Sequence, residues 1–122
     1  MKKILVIDDE AIIRTSCERT LIPAGYEVKL AEGGKEGLEM LEKEEFGLVL
    51  LDLKMPDMDG VEVLNNIKSK WPDMKVVMVT GYSTVETAVQ ALRLGAFNYL
   101  EKPFTPDSLL TAVKEVFETK EE

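Results

Sequence analysis

Two fully apolar runs in this chain end abruptly in acids. Ile4-Leu5-Val6-Ile7 stops at Asp8-Asp9-Glu10, and Val49-Leu50-Leu51 stops at Asp52. A third run, Val76-Val77-Met78-Val79, ends in Thr80-Gly81, and a mixed segment from Phe97 to Glu101 leads into Lys102-Pro103. If these segments are parallel strands of one sheet, Asp8, Asp9, Asp52, Thr80 and Lys102 converge at its C-terminal edge. Three converging carboxylates repel one another, and that repulsion demands a cation. The chain has no histidine and one cysteine, Cys17, so the ligands are oxygens. A few carboxylates completed by water suit Mg²⁺. A carboxylate so placed can also act as a nucleophile and take a phosphoryl group. The metal, Lys102 and the Thr80 hydroxyl would then neutralise and bind the phosphoryl oxygens.

Taken singly, each residue has a plainer use. One acid ahead of a helix is commonly its N-cap, and Glu10 would complement the helix dipole. Asp52 could form a turn, although Pro56, Asp57, Asp59 and Gly60 already furnish one. Thr80 alone reads as a strand end, Lys102 as a solvated charge and Tyr99 as a half-exposed aromatic. Five such residues at successive strand ends are a far more specific signal than any one of them.

Placing them requires alternating elements. Consecutive Val and Leu suit strands buried on both faces, the habit of central parallel strands. Tyr26 to Ala31 alternates polar and apolar, as an edge strand does. Helices are expected between the strands. The first carries Ile13, Cys17 and Leu21 and is closed by Pro23 and Gly25. The second, Gly34 to about Lys43, turns Leu38 and Leu41 inward, with Gly37 weakening it. Asp59 with Glu62 starts the third, which bears Val61, Leu64 and Ile67 and is ended by Trp71-Pro72-Asp73. Ser83 with Glu86 reads as a capping box for the fourth, bearing Val85, Ala88, Val89 and Leu92. Thr105 caps the fifth, with Pro106 at its first position and Leu109, Leu110, Val113, Val116 and Phe117 on its buried side. Such alternation gives an α/β fold, a doubly wound five-stranded parallel sheet with helices on both faces. The order 2-1-3-4-5, that of flavodoxin-like (βα)5 folds, puts the apolar strands in the centre. It puts the switch point between the strands ending in Asp8/Asp9 and Asp52, where ligands bind in open sheets.

A chain of 122 residues suits one domain spanning 1–122. Its net charge of −8 argues against direct binding of nucleic acid or an anionic membrane. No apolar run reaches the ~18 residues of a membrane span or the core of a signal peptide, so a cytoplasmic location is expected. Other phosphate and metal motifs fail. There is no GxxxxGK[ST] loop. An EF-hand with Gly60 at its sixth place would run from Met55 to Asn66, so two acidic ligands are missing. The loop Asp8-Asp9-Glu10 would repel a flavin phosphate. Asp52-Leu53-Lys54 lacks the second acid of the Asp-x-Asp used by haloacid-dehalogenase-type phosphatases.

With VIDDE at 6–10, LLDLKMPDMDG at 50–60 and VTGYSTVETAVQALRLGAFNYLEKPF at 79–104, the chain resembles a response-regulator receiver domain of two-component signal transduction. Receivers of enhancer-binding transcription activators and hybrid kinases are the most similar. The resemblance implies a phosphorylation-activated switch rather than an enzyme, one that assists its own phosphorylation and autodephosphorylation. Asp52 would be the phosphoacceptor, served by a partner histidine kinase or phosphotransfer protein in a phosphorelay. Asp8 and Asp9 would hold the Mg²⁺, Asp9 the more direct ligand, with Asp52 and the backbone carbonyl of Lys54. Lys102 would pair with the phosphoryl group, and the Lys102-Pro103 bond would be cis. In the implied switch Thr80 moves to the phosphoryl group and Tyr99 turns inward. The face of the fourth helix, fifth strand and fifth helix then changes its preference for an output domain, a downstream protein or a second copy in a phosphorylation-dependent homodimer. Gly81 leaves the pocket open to small phosphodonors and attacking water. Two other functions compete: a Mg²⁺-dependent small-molecule phosphatase or phosphotransferase, and a binding module indifferent to phosphorylation.

Overall fold

The computed structural model describes residues 2–81 and 84–118. Its strands are β1 (Lys3–Ile7), β2 (Glu27–Ala31), β3 (Leu48–Leu51), β4 (Val76–Thr80) and β5 (Asn98–Glu101). Its helices are α1 (Ala11–Leu21), α2 (Gly34–Lys43), α3 (Gly60–Lys70), α4 (Val85–Arg93) and α5 (Pro106–Glu118). All strand pairs are parallel, in the order β2-β1-β3-β4-β5. The fold expected from the alternation of elements is the one observed.

The side-chain period of two explains why the central strands carry unbroken apolar runs. Leu5, Ile7, Val49, Leu51, Val76 and Met78 face one core with α2, α3 and Ala91 of α4. Ile4, Val6, Leu48, Leu50, Val77 and Val79 face the other with α1 and α5. Both faces of the sheet are therefore dry, and alternation survives only on β2, where Glu27 and Lys29 are exposed.

Local signals set the helix ends. Asp59 caps α3 by accepting the Val61 N–H. Thr105 and Ser108 form a reciprocal cap on α5, and Gly25 adopts the positive φ needed just past α1. Three expectations for the helices need correction. Ser83, read as the cap of α4, lies outside the described residues. The capping box there is Thr84 with Thr87, each hydroxyl accepting the other's backbone N–H. The Ser-Thr-Val-Glu stretch offers two registers, and the hydroxyl pair closes one residue later than Ser83–Glu86. Second, α4 does not bury the apolar residues assigned to it. Val85, Val89 and Leu92 are 81%, 40% and 49% exposed, and Ala91 is its buried residue. Third, α3 packs Val63 fully inside, while Val61 is only half-buried. Gly37, weak by helix propensity, sits in α2 where a Cβ would come within 2.4 Å of Ile7 Cδ1. Closeness of helix to sheet selects glycine there.

Candidate functional site

The β1–β3 register pairs Ile7 with Leu51, so the next residues, Asp8 and Asp52, leave the sheet side by side. Backbone bonding continues past the strand ends. The Asp8 N–H donates to the Ala31 carbonyl at 3.1 Å, and the Asp52 N–H to that of Ile7 at 3.0 Å. Asp8 and Asp52 are consequently buried, whereas Asp9, one residue further, is exposed. Carboxylate oxygens of Asp8, Asp9 and Asp52 all lie within 4.8 Å of one another.

Lys102 enters from the end of β5, its N–H donating to the Thr80 carbonyl at 2.9 Å. Its Nζ lies 2.9 Å from Asp8 Oδ2, 2.9 Å from Glu10 Oε1 and 3.5 Å from Asp52 Oδ1. The Lys102–Pro103 peptide bond is cis. Asp9, Glu10, Asp52, Lys54, Gly81, Lys102 and Pro103 border an open crevice of about 520 Å³. Among the described residues other than its chain neighbours, a Cβ on Gly81 would meet nothing nearer than Lys102 Cβ at 3.9 Å.

The electrostatics follow from burying like charges together. Desolvation, and then the neighbouring Asp8 charge, push the Asp52 carboxyl up from its ordinary range to about 6, against the pull of Lys102. Asp8 is also raised, chiefly by burial, although the Glu10 N–H and Lys102 stabilise its charge. Burial alone would lower the Lys102 ammonium, but hydrogen bonds to Glu10 and Asp8, with the Asp8 and Asp52 charges, outweigh it and hold it protonated. Four carboxylates, counting Glu10, thus gather around Lys102, and Lys54 also borders the crevice. The local excess is negative, and the donors are all oxygens. A small hard divalent ion fits that set.

The other two candidates stand behind the crevice. Thr80 is fully buried at the end of β4. Tyr99 lies half-buried on β5, packed against the core on the α4 side, with its hydroxyl 3.2 Å from Thr87 Oγ1. Because Thr87 also closes the cap of α4, Tyr99 is linked to that helix's N-terminus.

Several contributors escaped the sequence reading. Glu10 does not cap α1 with its side chain but holds Lys102. Arg14 donates from Nη1 to the Asp8 carbonyl at 2.7 Å, fixing the backbone between the two acids. Its place one turn into a helix that follows an acidic loop was the available signal. Asp57, read as a turn former, accepts the N–H groups of Gly34 and Lys35 from α2. No local pattern announces that contact between residues 22 and 23 positions apart.

An open doubly wound sheet carries its ligands at the switch point, and there this chain gathers its acidic cluster. Comparison with known proteins narrows the class. Residues 4–114 match the family described as response regulator receiver domain, and the chain belongs to that family, the phosphorylation-activated switches of two-component signal transduction. It is 44% identical over 106 residues to the transcriptional regulatory protein ZraR of Escherichia coli K12, an alignment covering 87% of this chain and 24% of that protein. The chain thus spans about a quarter of the length of such relatives. A CheY-like response regulator receiver domain from Methanospirillum hungatei superposes with a TM-score of 0.91 at 43% identity, covering 97% of this chain and 95% of the other. The beryllofluoride-activated NtrC4 receiver domain dimer gives 0.92 at 39% identity, covering 97% and 98%. Among the described residues no helix is long and apolar enough to cross a membrane.

Proposed function

We propose that Asp52 is the phosphoacceptor of a single receiver module spanning residues 1–122, and that it takes its phosphoryl group from a histidine kinase or phosphotransfer protein. The observation carrying this reading is the meeting of Asp8, Asp9 and Asp52 oxygens within 4.8 Å with Lys102 Nζ 3.5 Å from Asp52. Asp8, Asp9, Asp52 and the backbone carbonyl of Lys54 would hold Mg²⁺, which when bound supplies positive charge to the attacking carboxylate and the phosphoryl oxygens.

The chain's own residues do the rest. An Asp52 carboxylate oxygen forms the bond to phosphorus as the donor's bond to phosphorus breaks. Lys102, held between Asp8 and Glu10, shifts toward the new phosphoryl oxygens. The Thr80 hydroxyl donates to them as well, and Tyr99 exchanges its bond to Thr87 for an inward position. These contacts are available only to the phosphorylated chain, so they favour one arrangement of α4, β5 and α5 over another. That face, with Val85, Val89 and Leu92 outward, is the surface for an output domain, a downstream protein or a second copy of the chain. The dimeric state of the NtrC4 receiver supports the last of these. The open side at Gly81 admits small phosphodonors and water, so the same site assists dephosphorylation. A cytoplasmic location accompanies this reading.

Intact mass after incubation with Mg²⁺ and acetyl phosphate tests it. One added phosphoryl group is expected, dependent on Mg²⁺, decaying with time and missing from Asp52→Asn. Steady phosphate release without an adduct would instead indicate a turnover phosphatase.

A further inference from the structure

The loop between β3 and α3 supplies both Asp52 and the Lys54 carbonyl, and three contacts pin it. At its base the Gly60 N–H donates to the Leu53 carbonyl at 2.6 Å. A Cβ on Gly60 would lie 2.3 Å from the Asp52 carbonyl oxygen, so the turn closes directly beneath Asp52. At its exit Asp59 caps α3. At its apex Asp57 reaches across to α2. Asp57 Oδ1 accepts the Gly34 N–H at 3.1 Å, and Oδ2 accepts the Lys35 N–H at 3.1 Å.

The recipient needs that carboxylate. The N-cap of α2 is Gly33, which has no side chain to offer, and the first-turn N–H groups of a helix otherwise lack partners. The fit is close on both sides. A Cβ on Gly33 would meet the Asp57 carboxylate at 2.8 Å, and one on Gly34 would meet Met58 Cβ at 2.8 Å. The N–H of Lys35, foremost among several backbone donors, holds the Asp57 carboxyl below the usual carboxylate range. Lys54, three residues before Asp57, borders the same crevice as Asp9 and Asp52.

We propose that Asp57 is a positioning residue for the metal site, capping α2 from another loop and thereby fixing where the Lys54 carbonyl stands relative to Asp9 and Asp52. This rests on the reading of that carbonyl as a Mg²⁺ ligand. Asp57 itself touches neither metal nor phosphoryl group. Removing partners that orient a ligand weakens metal affinity even when every ligand remains.

The test is the Mg²⁺ dissociation constant, measured by isothermal titration calorimetry on the unphosphorylated chain, with a thermal melt of each variant. Asp57→Ala removes both the acceptor and a negative charge. Asp57→Asn removes the charge but keeps an acceptor oxygen. Gly33→Ala keeps the charge and displaces the carboxylate; its backbone is extended, so alanine is unstrained there. Affinity is expected to fall about ten-fold, the low end for loss of a ligand-orienting partner, in Asp57→Ala and in Gly33→Ala. It should fall no further in the double variant and by a smaller amount in Asp57→Asn, whose one acceptor oxygen can serve only one of the two N–H groups. Weakening in Asp57→Asn equal to that in Asp57→Ala, with Gly33→Ala unchanged, would mean a simple charge effect and overturn the proposal. So would variants that all bind as the parent does. A parent that binds no Mg²⁺ overturns the metal reading and this inference with it, whereas binding insensitive to all variants overturns this inference alone.

Discussion

At the scale of single residues, the cost of the site is concentrated on Asp52. Desolvation and the Asp8 charge raise its carboxyl from 3.8 to about 6 in the folded chain. Between those values the folded chain keeps a proton that the unfolded chain has released, so stability falls as pH rises through that window. Above about pH 6 the penalty is complete, of order 1–3 kcal/mol for a shift of this size. Lys102 offsets it only in part, because its nearer partners are Asp8 and Glu10. Asp52→Asn removes the buried charge and leaves Lys102 those two partners. Without divalent ions, the variant is expected to be more stable than the parent at pH 7.5 by an amount within that range, and the gain should shrink toward pH 4. Urea unfolding at the two pH values checks this; equal stability at pH 7.5 would contradict it. A residue that destabilises its own fold is sensible only where its charge is used.

At the scale of elements, glycine and apolar patterning carry different information. Gly37 looks like a defect in α2, and by helix propensity Gly37→Ala should gain about 1 kcal/mol. The structure predicts the opposite. The new Cβ would fall 2.4 Å from Ile7 Cδ1 and 2.7 Å from Cγ1, inside a core with no exposed side on which Ile7 could relax. Overpacking of that kind costs about 1–3 kcal/mol, so after the propensity gain a net loss of up to about 2 kcal/mol is expected, read as a lower urea midpoint. A higher midpoint would mean that α2 drifts away from the sheet at little cost. The same contrast marks what the sequence reveals. The apolar runs of β1, β3 and β4 disclosed strand order and the convergence of Asp8, Asp9 and Asp52, because a strand buried on both faces tolerates no polar residue until it ends. The stripe Val85, Val89 and Leu92 has the same hydrophobicity and a helical spacing, yet it faces outward. Periodicity reports that a helix has an apolar face, not what covers it. Contacts between distant loops, such as Lys102 with Glu10 and Asp57 with α2, leave no trace in any local window.

At the scale of the whole molecule, the charge of −8 is felt most where parallel strands deliver Asp8, Asp9 and Asp52 to one edge, and Lys102, shared between Asp8, Asp52 and Glu10, offsets it only in part. Two effects of added Mg²⁺ must therefore be separated. General screening weakens repulsion between exposed acids and is shared by any salt, whereas occupancy of the crevice stabilises through binding alone. At a concentration ten times the dissociation constant, binding contributes about 1.4 kcal/mol. For a domain of this size that is a rise in Tm of roughly 4–7 °C. NaCl at matched ionic strength should not reproduce the rise. Asp9→Asn should lose most of it with little change in Mg²⁺-free stability, because Asp9 is exposed. Asp52→Asn should begin more stable and gain less, since part of what the ion relieves in the parent has already been removed. An equal rise with NaCl would assign the effect to screening. If Asp52→Asn were stabilised as much by Mg²⁺ as the parent, the ion would be sitting elsewhere on the acidic surface, and the convergence of strand ends would not be its site.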